Sequence, residues 1–362
     1  MFMERKQANK FGLKILRLTG IYAAIAFAIC FSVLVSLNNS VVFAETTTSP
    51  QASAATVGSD ATTDLSSLSE TSASPSTTQK PEVLLSGIPA DAQNIAFSYD
   101  DRYCTYMAGT HLHIKDMKTG DNVKTITTSG IRWPVLMNDR NILMYFTVSG
   151  TTLALNTYNI DSNQSVKQTS LTFPSGAKIK AVDYSNATSL VFINLAQTQN
   201  GTETDSVYSI NIMKKVRKFS LSSVVDNMVL LGKENSLYYD DAQNNLYLHG
   251  KPFTGLKEGK LLGRDIEDRV YALSVDNDMV YILSNEKLDK TLVIPNTNYI
   301  EFYSDKNSVY AVYNGYIINL SGDMNAKLQY DRGLQFIGMG GSNAYFRDAE
   351  NNIIGLIKSS IA

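Results

Sequence analysis

The chain has 362 residues, with 32 basic and 34 acidic side chains, and its aromatic residues are 20 Tyr, 14 Phe and one Trp. Residues 1–17 carry five basic side chains and one acidic one, while the rest of the chain is mildly acidic, with 27 basic and 33 acidic residues. This distribution argues against a nucleic-acid partner. Only two cysteines occur, Cys30 and Cys104, so a disulfide framework is excluded and a large core must supply the stability.

The N-terminal region is predicted to direct export. Residues 1–17 form a short basic segment, and the uncharged apolar run Leu18–Leu37 is long enough to cross roughly 30 Å of hydrocarbon. Positive charge before this run predicts that the N-terminus lies inside and the remainder outside. Val42-x-Ala44 also fits a signal-peptide cleavage site. Residues 18–44 are therefore either a signal peptide or a retained transmembrane signal-anchor, and the protein is either secreted or a single-pass protein of the cell membrane.

Residues 45–80 consist almost entirely of Ser, Thr, Ala and other small or polar residues. Such a composition cannot bury enough apolar surface to form a core, and it predicts a disordered linker. A coil of this length reaches about 35 Å, which suits a tether that holds a domain away from a membrane.

Residues 81–362 contain a recurring group of short strands. One aromatic member of the group appears seven times, as YCTYM, LMYFT, LVFIN, LYYDD, VYALS, VYAVY and AYFRD. A short inner strand comes before each copy, and two further strands follow most copies. Four strands at a period near 40 residues are typical of a β-propeller blade. We therefore predict an all-β, seven-bladed β-propeller over residues 81–362.

Two details of this propeller are predicted from the same pattern. The seventh unit ends at Ala362 without an outer strand, while the spare apolar run Pro81–Gly87 precedes the first unit. We expect that run to supply the missing strand and so to close the ring. The longest gap inside a unit, Ala196–Asp205, is predicted to be an extended exposed loop.

The first unit, Asn94–Ile126, resembles the blade motif of TolB-like, YVTN-type and dipeptidyl-peptidase-IV-type propellers. In those families a Ser-Pro-Asp-Gly turn is followed by an aromatic strand, a strand ending in Asp and a Thr-Gly turn. Here Ser98–Asp101 takes the place of the first turn, Asp116 is the strand-end residue and Thr119-Gly120 is the second turn. The resemblance implies the fold and says little about activity, because propellers host many unrelated functions.

Candidate chemical groups are few, and each has a structural interpretation. His111 and His113 alternate on one strand and could hold a metal, but no third ligand is evident. Cys104 is expected to be a small buried apolar residue. Acidic residues occupy expected turns, where their carboxylates cap the backbone, and they are Asp100, Asp101, Asp240, Asp241, Asp276 and Asp278.

The glycine-rich stretch Gly338–Ser342 lacks the Lys-Ser/Thr of a phosphate loop and is predicted to be a tight link between strands. No Gly-x-Ser-x-Gly elbow occurs, and a single Trp argues against the Trp-containing signatures of quinone dehydrogenases, WD40 propellers and sialidases. We therefore assign no catalytic, metal-binding or cofactor-binding residue and no cofactor.

The leading functional hypothesis is a non-catalytic, extracytoplasmic propeller that binds a protein or a glycan of the cell envelope. The export signal and the spacer motivate it. Two alternatives stay open: a propeller enzyme, either a lyase or a glycoside hydrolase, that uses carboxylates near the central channel, and an accessory or sensor subunit of a membrane complex. The last alternative requires that the N-terminal anchor is retained.

Overall fold

The computed structural model describes residues 82–361, apart from 212, 220, 222–223, 234–235, 277 and 295–298. The three predicted N-terminal segments, residues 1–17, 18–44 and 45–80, lie outside the described residues. The described part of the chain consists of short β-strands, followed by one turn of 3-10 helix at Lys358–Ser360.

The strands follow one another at short intervals. The first fourteen are β1 (Glu82–Leu85), β2 (Gln93–Phe97), β3 (Tyr103–Ala108), β4 (His111–Asp116), β5 (Asn122–Ile126), β6 (Ile131–Leu136), β7 (Ile142–Ser149), β8 (Thr152–Asn159), β9 (Gln164–Thr172), β10 (Lys178–Ser185), β11 (Leu190–Gln199), β12 (Thr202–Ile210), β13 (Val216–Phe219) and β14 (Met228–Leu230). The others are β15 (Leu237–Asp240), β16 (Leu246–Leu248), β17 (Lys251–Pro252), β18 (Lys260–Arg264), β19 (Val270–Leu273), β20 (Met279–Ser284), β21 (Lys287–Val293), β22 (Tyr299–Ser304), β23 (Val309–Tyr313), β24 (Tyr316–Asn319), β25 (Lys327–Gln329), β26 (Gln335–Met339), β27 (Asn343–Arg347) and β28 (Ile353–Ile357).

Within the described residues these strands form seven four-stranded antiparallel sheets. Six sheets take four consecutive strands each, from β2–β5 for blade 1 to β22–β25 for blade 6, and blade 7 has the order β26-β27-β28-β1. The predicted seven-bladed propeller is thus confirmed. The turns between the first and second strands of the blades lie at one end, here called the upper face. The turns between the second and third strands lie at the lower face.

Ring closure occurs as the sequence predicted. Strand β1 pairs antiparallel with β28, with Glu82 opposite Gly355, Val83 opposite Ile354 and Leu85 opposite Ile353. Leu85 is only 3% exposed and packs among buried residues of blades 1 and 7. The first described strand therefore completes the last blade and joins the two ends of the propeller in one sheet.

The innermost strands are irregular at the same relative position. Among the described residues, six of the seven contain a register shift against their neighbouring strand, and the shifts lie at Gln93/Ala96, Arg132/Val135, Ile179/Ala181, Leu261/Gly263, Tyr299/Glu301 and Phe336/Gly338. A bulge adds a residue to one strand and increases its local twist. The bulges also leave residues such as Trp133 and Lys180 without a partner in the ladder.

The core lies between the blades. Each blade has apolar side chains on both faces, and neighbouring blades bury them in shared clusters, one of which joins Met144 and Phe146 of blade 2 to Val191 and Ile193 of blade 3. Cys104 is fully buried, and burial raises the pKa of its thiol to about 12, as expected of a structural cysteine.

The seam between blades 1 and 7 explains the glycine-rich stretch. Gly340, Gly341 and Ser342 form the turn between β26 and β27, so the predicted tight link is confirmed. A Cβ atom on Gly341 would lie 1.9 Å from the carbonyl oxygen of Tyr99 in blade 1. Glycine is thus required here because two backbones approach closely.

The prediction of an extended loop at Ala196–Asp205 is wrong. These residues prolong β11 and β12 into one hairpin, paired from Ala196 with Asp205 up to Gln199 with Thr202. Asn200 and Gly201 form the two-residue turn with φ values of 51° and 80°, and Asn-Gly is the preferred pair for such a turn. Although the segment is polar, cross-strand pairing orders it, and its tip is exposed as expected.

The closing strand can be tested by substitution. Leu85→Ala removes a buried side chain from the seam and is expected to lower the free energy of unfolding by about 3 kcal/mol. The matched control is Val83→Ala on the same strand, because Val83 is 54% exposed and should change stability by under about 0.5 kcal/mol. Chemical denaturation of the full chain measures both values, and equal effects would contradict the closure described here.

Candidate functional site

The central channel is crossed by one lysine. Lys306 lies in the upper-face turn that follows β22 in blade 6, where its backbone φ is 68°. Its Nζ contacts the carboxylate of Asp183 on β10 of blade 3 and lies 4.3 Å from the ring centroid of Tyr184. Lys306 lines two cavities, one of about 370 Å³ at the upper mouth and one of about 320 Å³ inside the channel.

The carboxylate of Asp183 has a dense set of donors. One oxygen accepts a hydrogen bond of 2.6 Å from the backbone N–H of Leu230 in blade 4, and the other accepts from the N–H of Tyr184 at 2.8 Å. Burial of the ammonium group lowers the pKa of Lys306 to about 7, and the adjoining carboxylate opposes that decrease by favouring the charged form. The pair thus connects three blades across the axis.

Other carboxylates, partly or fully buried, also hold neighbouring blades together. Asp101 of blade 1 accepts hydrogen bonds from the Ser342 N–H at 2.6 Å and from the Tyr345 hydroxyl at 2.8 Å, both in blade 7. Asp268 of blade 5 accepts from the N–H groups of Gly232 and Lys233 in blade 4, both at 2.8 Å. In these contacts the carboxylates accept hydrogen bonds from backbone N–H groups that are not paired within the β-sheets.

Asp240 is the most buried of these groups. It ends β15 with no exposed surface and accepts hydrogen bonds from the N–H of Leu261 in blade 5 and from the N–H of Asn227, both at 2.6 Å. Burial raises the pKa of Asp240 to about 6, although these hydrogen bonds favour its charged form. The predicted role as a turn cap is therefore wrong for Asp240 and Asp101, which bind the adjacent blade.

The turn-cap prediction is confirmed for two of the remaining residues. Asp100 accepts hydrogen bonds from the Ser98 hydroxyl at 2.7 Å and from the N–H of Arg102 at 3.2 Å. Asp241 accepts from the N–H groups of Gln243 and Asn245 at 2.9 and 3.0 Å. Asp278 accepts at 3.1 Å from the hydroxyl of Ser274, while Asp276 is exposed in the same turn.

His111 and His113 lie close together, but no third metal-ligating side chain of the described residues joins them. The rings of His111 and His113 are 6.4 Å apart, and His113 stacks on Tyr106 with a centroid distance of 5.0 Å. Nδ1 of His113 lies 3.2 Å from the Thr125 hydroxyl, and burial lowers the pKa of His113. Across the described part of the chain, no three His, Cys, Asp or Glu side chains converge as a metal-ligand set.

A second cavity, here called the Trp133 cleft, opens at the lower face between blades 2 and 3. Its volume is about 400 Å³, and it is lined by Arg132, Trp133, Val148, Leu153, Phe173, Ala177, Lys178, Ile179 and Leu195. Trp133 is 38% exposed and occupies the bulge of β6 with a φ of 50°. A bulky residue in the left-handed region is uncommon and often marks a functional position.

Sequence reasoning did not single out this cleft. Its wall residues come from β6, β7, β8, β10, β11 and the segment after β9, and none of their spacings along the chain indicates a shared cavity. One available signal was the single Trp of the chain, placed before Pro134 in an inner strand, because Pro within a strand indicates a sheet edge or a bulge.

Comparisons with known proteins identify no family. No protein-family model matches the chain, and no curated protein matches it in sequence. Many solved structures match in fold. Within the described residues, no helix is long and apolar enough to cross a bilayer.

Three of the structural matches illustrate the likeness. A streptogramin B lyase is 11% identical with a TM-score of 0.49, over 76% of this chain and 96% of its own. A catalytically inactive virginiamycin B lyase from Staphylococcus aureus, solved with quinupristin, is 11% identical with a TM-score of 0.48, over 78% and 96%. The Dos1 propeller is 12% identical with a TM-score of 0.49, over 73% and 78%. At these identities the likeness concerns the propeller fold alone.

The cross-channel pair can be tested through stability. Lys306→Met removes the cation and leaves the Asp183 carboxylate buried, so we expect the free energy of unfolding at pH 6, below the Lys306 pKa of about 7, to fall by about 2 kcal/mol. Adding Asp183→Asn should recover part of this loss, because the uncompensated charge is gone. Denaturant titration measures the free energy of unfolding of both variants. If Lys306→Met were as stable as the wild type, the contact between Lys306 and Asp183 would not hold the blades together.

The buried Asp240 predicts a pH dependence. Because the folded state holds the proton more tightly than the unfolded state, the contribution of Asp240 to stability is greatest below pH 4 and is lost as the pH rises through about 6. A shift of this size corresponds to about 3 kcal/mol. Asp240→Asn should therefore flatten the stability profile between pH 4 and pH 6.

The control for that profile is Asp289→Asn, since Asp289 is exposed on β21. Unfolding free energies of the three proteins, measured at intervals across the same pH range, separate the contribution of Asp240 from that of other acids. Parallel profiles for the wild type and Asp240→Asn would show that the carboxylate does not titrate as described.

Proposed function

We propose that the protein is a non-catalytic, extracytoplasmic propeller that binds a protein or a glycan of the cell envelope through the lower-face hairpin of blade 3. The observation that carries the proposal is the hairpin formed by β11 and β12. From Thr198 to Thr204 every residue is exposed and all but Gly201 are polar, so this part contributes nothing to the core. Compared with strands of six residues, β11 is longer by about 13 Å and β12 by about 10 Å.

The chemistry of the hairpin tip suits recognition of a polar partner. Thr198, Gln199, Thr202 and Glu203 present hydroxyl, amide and carboxylate groups. The ladder fixes the backbone that carries these side chains, so no loop has to be ordered on binding. Lys180 supports the hairpin from β10, since its Nζ lies 2.6 Å from Glu203.

The channel carboxylates support a binding role over the enzyme alternative. Glycoside hydrolysis requires two carboxyl groups that flank the scissile bond and are free to exchange protons or attack. Three carboxylates of the described residues line the two channel cavities, Asp183, Asp226 and Asp305. Asp183 accepts two backbone N–H groups and pairs with Lys306, and Asp305 accepts the backbone N–H groups of Asn307 and Ser308 in its own turn. Two of the three are thus committed to structural contacts, whereas the reaction requires a pair of available carboxyl groups.

The expected export signal places the propeller where envelope components are available. If residues 18–44 are retained as an anchor, the propeller is tethered to the membrane; if they are cleaved, it is released. A role as an accessory subunit of a membrane complex requires the tethered form. N-terminal sequencing of the mature protein distinguishes these states: a chain that begins at Glu45 has lost the anchor and rules out that role.

Binding can be tested with a shortened hairpin. Replacing Thr198–Glu203 by Asn-Gly keeps Gln197 opposite Thr204 and removes only the exposed tip. Immobilised full-length protein should bind solubilised envelope material saturably, and the shortened variant should bind at least about ten-fold more weakly. Protease treatment and periodate oxidation of the envelope material then identify whether a protein or a glycan is bound.

The matched control is Lys118→Ala, an exposed change in the upper-face turn after β4 that should leave binding unchanged. Equal thermal unfolding midpoints for all three proteins would show that the shortened hairpin does not disturb the ring. Undiminished binding by the shortened variant, or cleavage of envelope glycans by the wild type, would contradict the proposal.

A further inference from the structure

The Trp133 cleft is lined mainly by apolar side chains, as expected of a pocket that binds an apolar group. Leu153, Phe173 and Leu195 are buried along its sides, while Val148 and Ile179 are partly exposed to it. Small-molecule pockets in proteins have a similar volume and are lined mainly by apolar side chains with a few polar groups at defined positions. Trp133 also lines the channel cavity that contains Asp183, whereas the other lining residues of the cleft do not, and none of them belongs to the hairpin tip Thr198–Thr204.

One wall of the cleft, the segment Phe173–Ala177, is positioned by hydrogen bonds. The N–H of Phe173 donates to the carbonyl of Thr151 at 2.9 Å, Nε2 of Gln197 donates to the carbonyl of Ser175 at 3.2 Å, and the N–H of Ala177 donates to the carbonyl of Pro174 at 3.2 Å. The first two contacts link this segment to other parts of blades 2 and 3, so this wall has a defined position.

The rim of the cleft carries positive charge. Arg132 and Lys178 are both exposed and line the opening next to Trp133. The Arg132 guanidinium donates a hydrogen bond to its own neighbour, the carbonyl of Ile131, at 2.7 Å. In the part of the chain that the structure describes, neither cation forms an ion pair with a carboxylate, so both can bind an anion.

From this arrangement we propose that the Trp133 cleft binds a single aliphatic chain that ends in an anionic head group, a carboxylate or a phosphate. The chain lies against the side chains of Leu153, Phe173 and Leu195. The head group is held between Arg132 and Lys178, and the indole of Trp133 covers the junction of the apolar and polar parts, as amphipathic Trp does at other such boundaries.

A protein segment fits the cleft less well than a chain of this kind. Extended peptides bind by adding a strand to a free sheet edge. Val148, Leu153 and Leu195 belong to β7, β8 and β11, each of which is already paired on both sides. Only the edge strands β6 and β10 have an unpaired side at the cleft, and both are irregular there: β6 is bulged at Trp133 and continues with Pro134, which has no N–H to donate, and β10 is bulged after Ile179. The cleft thus offers no regular edge for strand addition, which favours a ligand without a peptide backbone of its own.

The single Trp of the chain makes the test specific. Full-length protein in nanodiscs of neutral phosphatidylcholine, assembled with a scaffold protein that lacks Trp, is titrated with decanoate that carries bromine on its terminal carbon, which quenches indole fluorescence on contact. We expect saturable quenching of Trp133, with decyl phosphate competing and acetate failing to compete. Brominated decanol, which lacks the charge, should bind at least about ten-fold more weakly.

Two variants locate the binding site. Arg132→Gln combined with Lys178→Gln removes the rim charge and should weaken decanoate binding at least about ten-fold while leaving decanol binding unchanged. Ala177→Leu fills the cleft and should abolish quenching by both probes. The matched control, Lys167→Gln with Lys290→Gln, removes two exposed charges elsewhere and should bind as the wild type does.

The rim variant keeps the test valid even if Ala177→Leu does not fold, because both rim residues are exposed. Absence of saturable quenching, equal affinity for decanoate and decanol, or quenching that survives Ala177→Leu in a folded protein would overturn the proposal. Displacement of the probe by an acidic peptide but not by decyl phosphate would also overturn it. None of these outcomes bears on the envelope binding assigned to the hairpin.

Discussion

The pairing of β1 with β28 is the contact on which the rest of the structure depends. Each blade has apolar side chains on both faces, so a row of blades would leave two such faces exposed at its ends. Closing the row into a ring removes them, and the closing strand makes the closure cooperative, because neither end of the propeller can open without breaking a ladder. Leu85 brings apolar surface to the same seam.

Polar contacts then fix how the blades sit against one another. Asp101, Asp240 and Asp268 each bind backbone N–H groups of a neighbouring blade, and Lys306 reaches Asp183 across the axis. Such partly or fully buried groups add little net stability compared with an apolar core, but removing one partner leaves an uncompensated group. They therefore select one relative placement of the blades among several that apolar packing alone would allow.

The sequence was sufficient to predict the blades, their number and their closure, because strand periodicity and turn residues are local signals. It did not reveal which blade each acidic residue contacts. Asp240 and Asp241 are adjacent in sequence, yet one binds the next blade and the other caps its own turn, and only the direction of each side chain decides this. The polar stretch Ala196–Asp205 was misassigned because its pairing comes from register and from the Asn-Gly turn rather than from burial.

The same limit applies to the candidate site. The Trp133 cleft is lined by residues from several separate segments of blades 2 and 3, a tertiary feature with no counterpart in residue spacing. Hairpin and cleft lie on the same face and depend on the same closed ring to hold blades 2 and 3 in place. The functional proposals thus share one structural requirement, which is the integrity of that ring.

A cross-link between the two ends of the propeller tests that requirement most directly. Val83 and Ile354 are directly opposed in the β1–β28 ladder, at a separation that a disulfide can span. In a full-length protein carrying Val83→Cys and Ile354→Cys, mild oxidation of the folded state should join residues 83 and 354 and raise the unfolding midpoint above that of the reduced form. Failure of the pair to oxidise while the protein is folded would contradict a ring closed by its first strand.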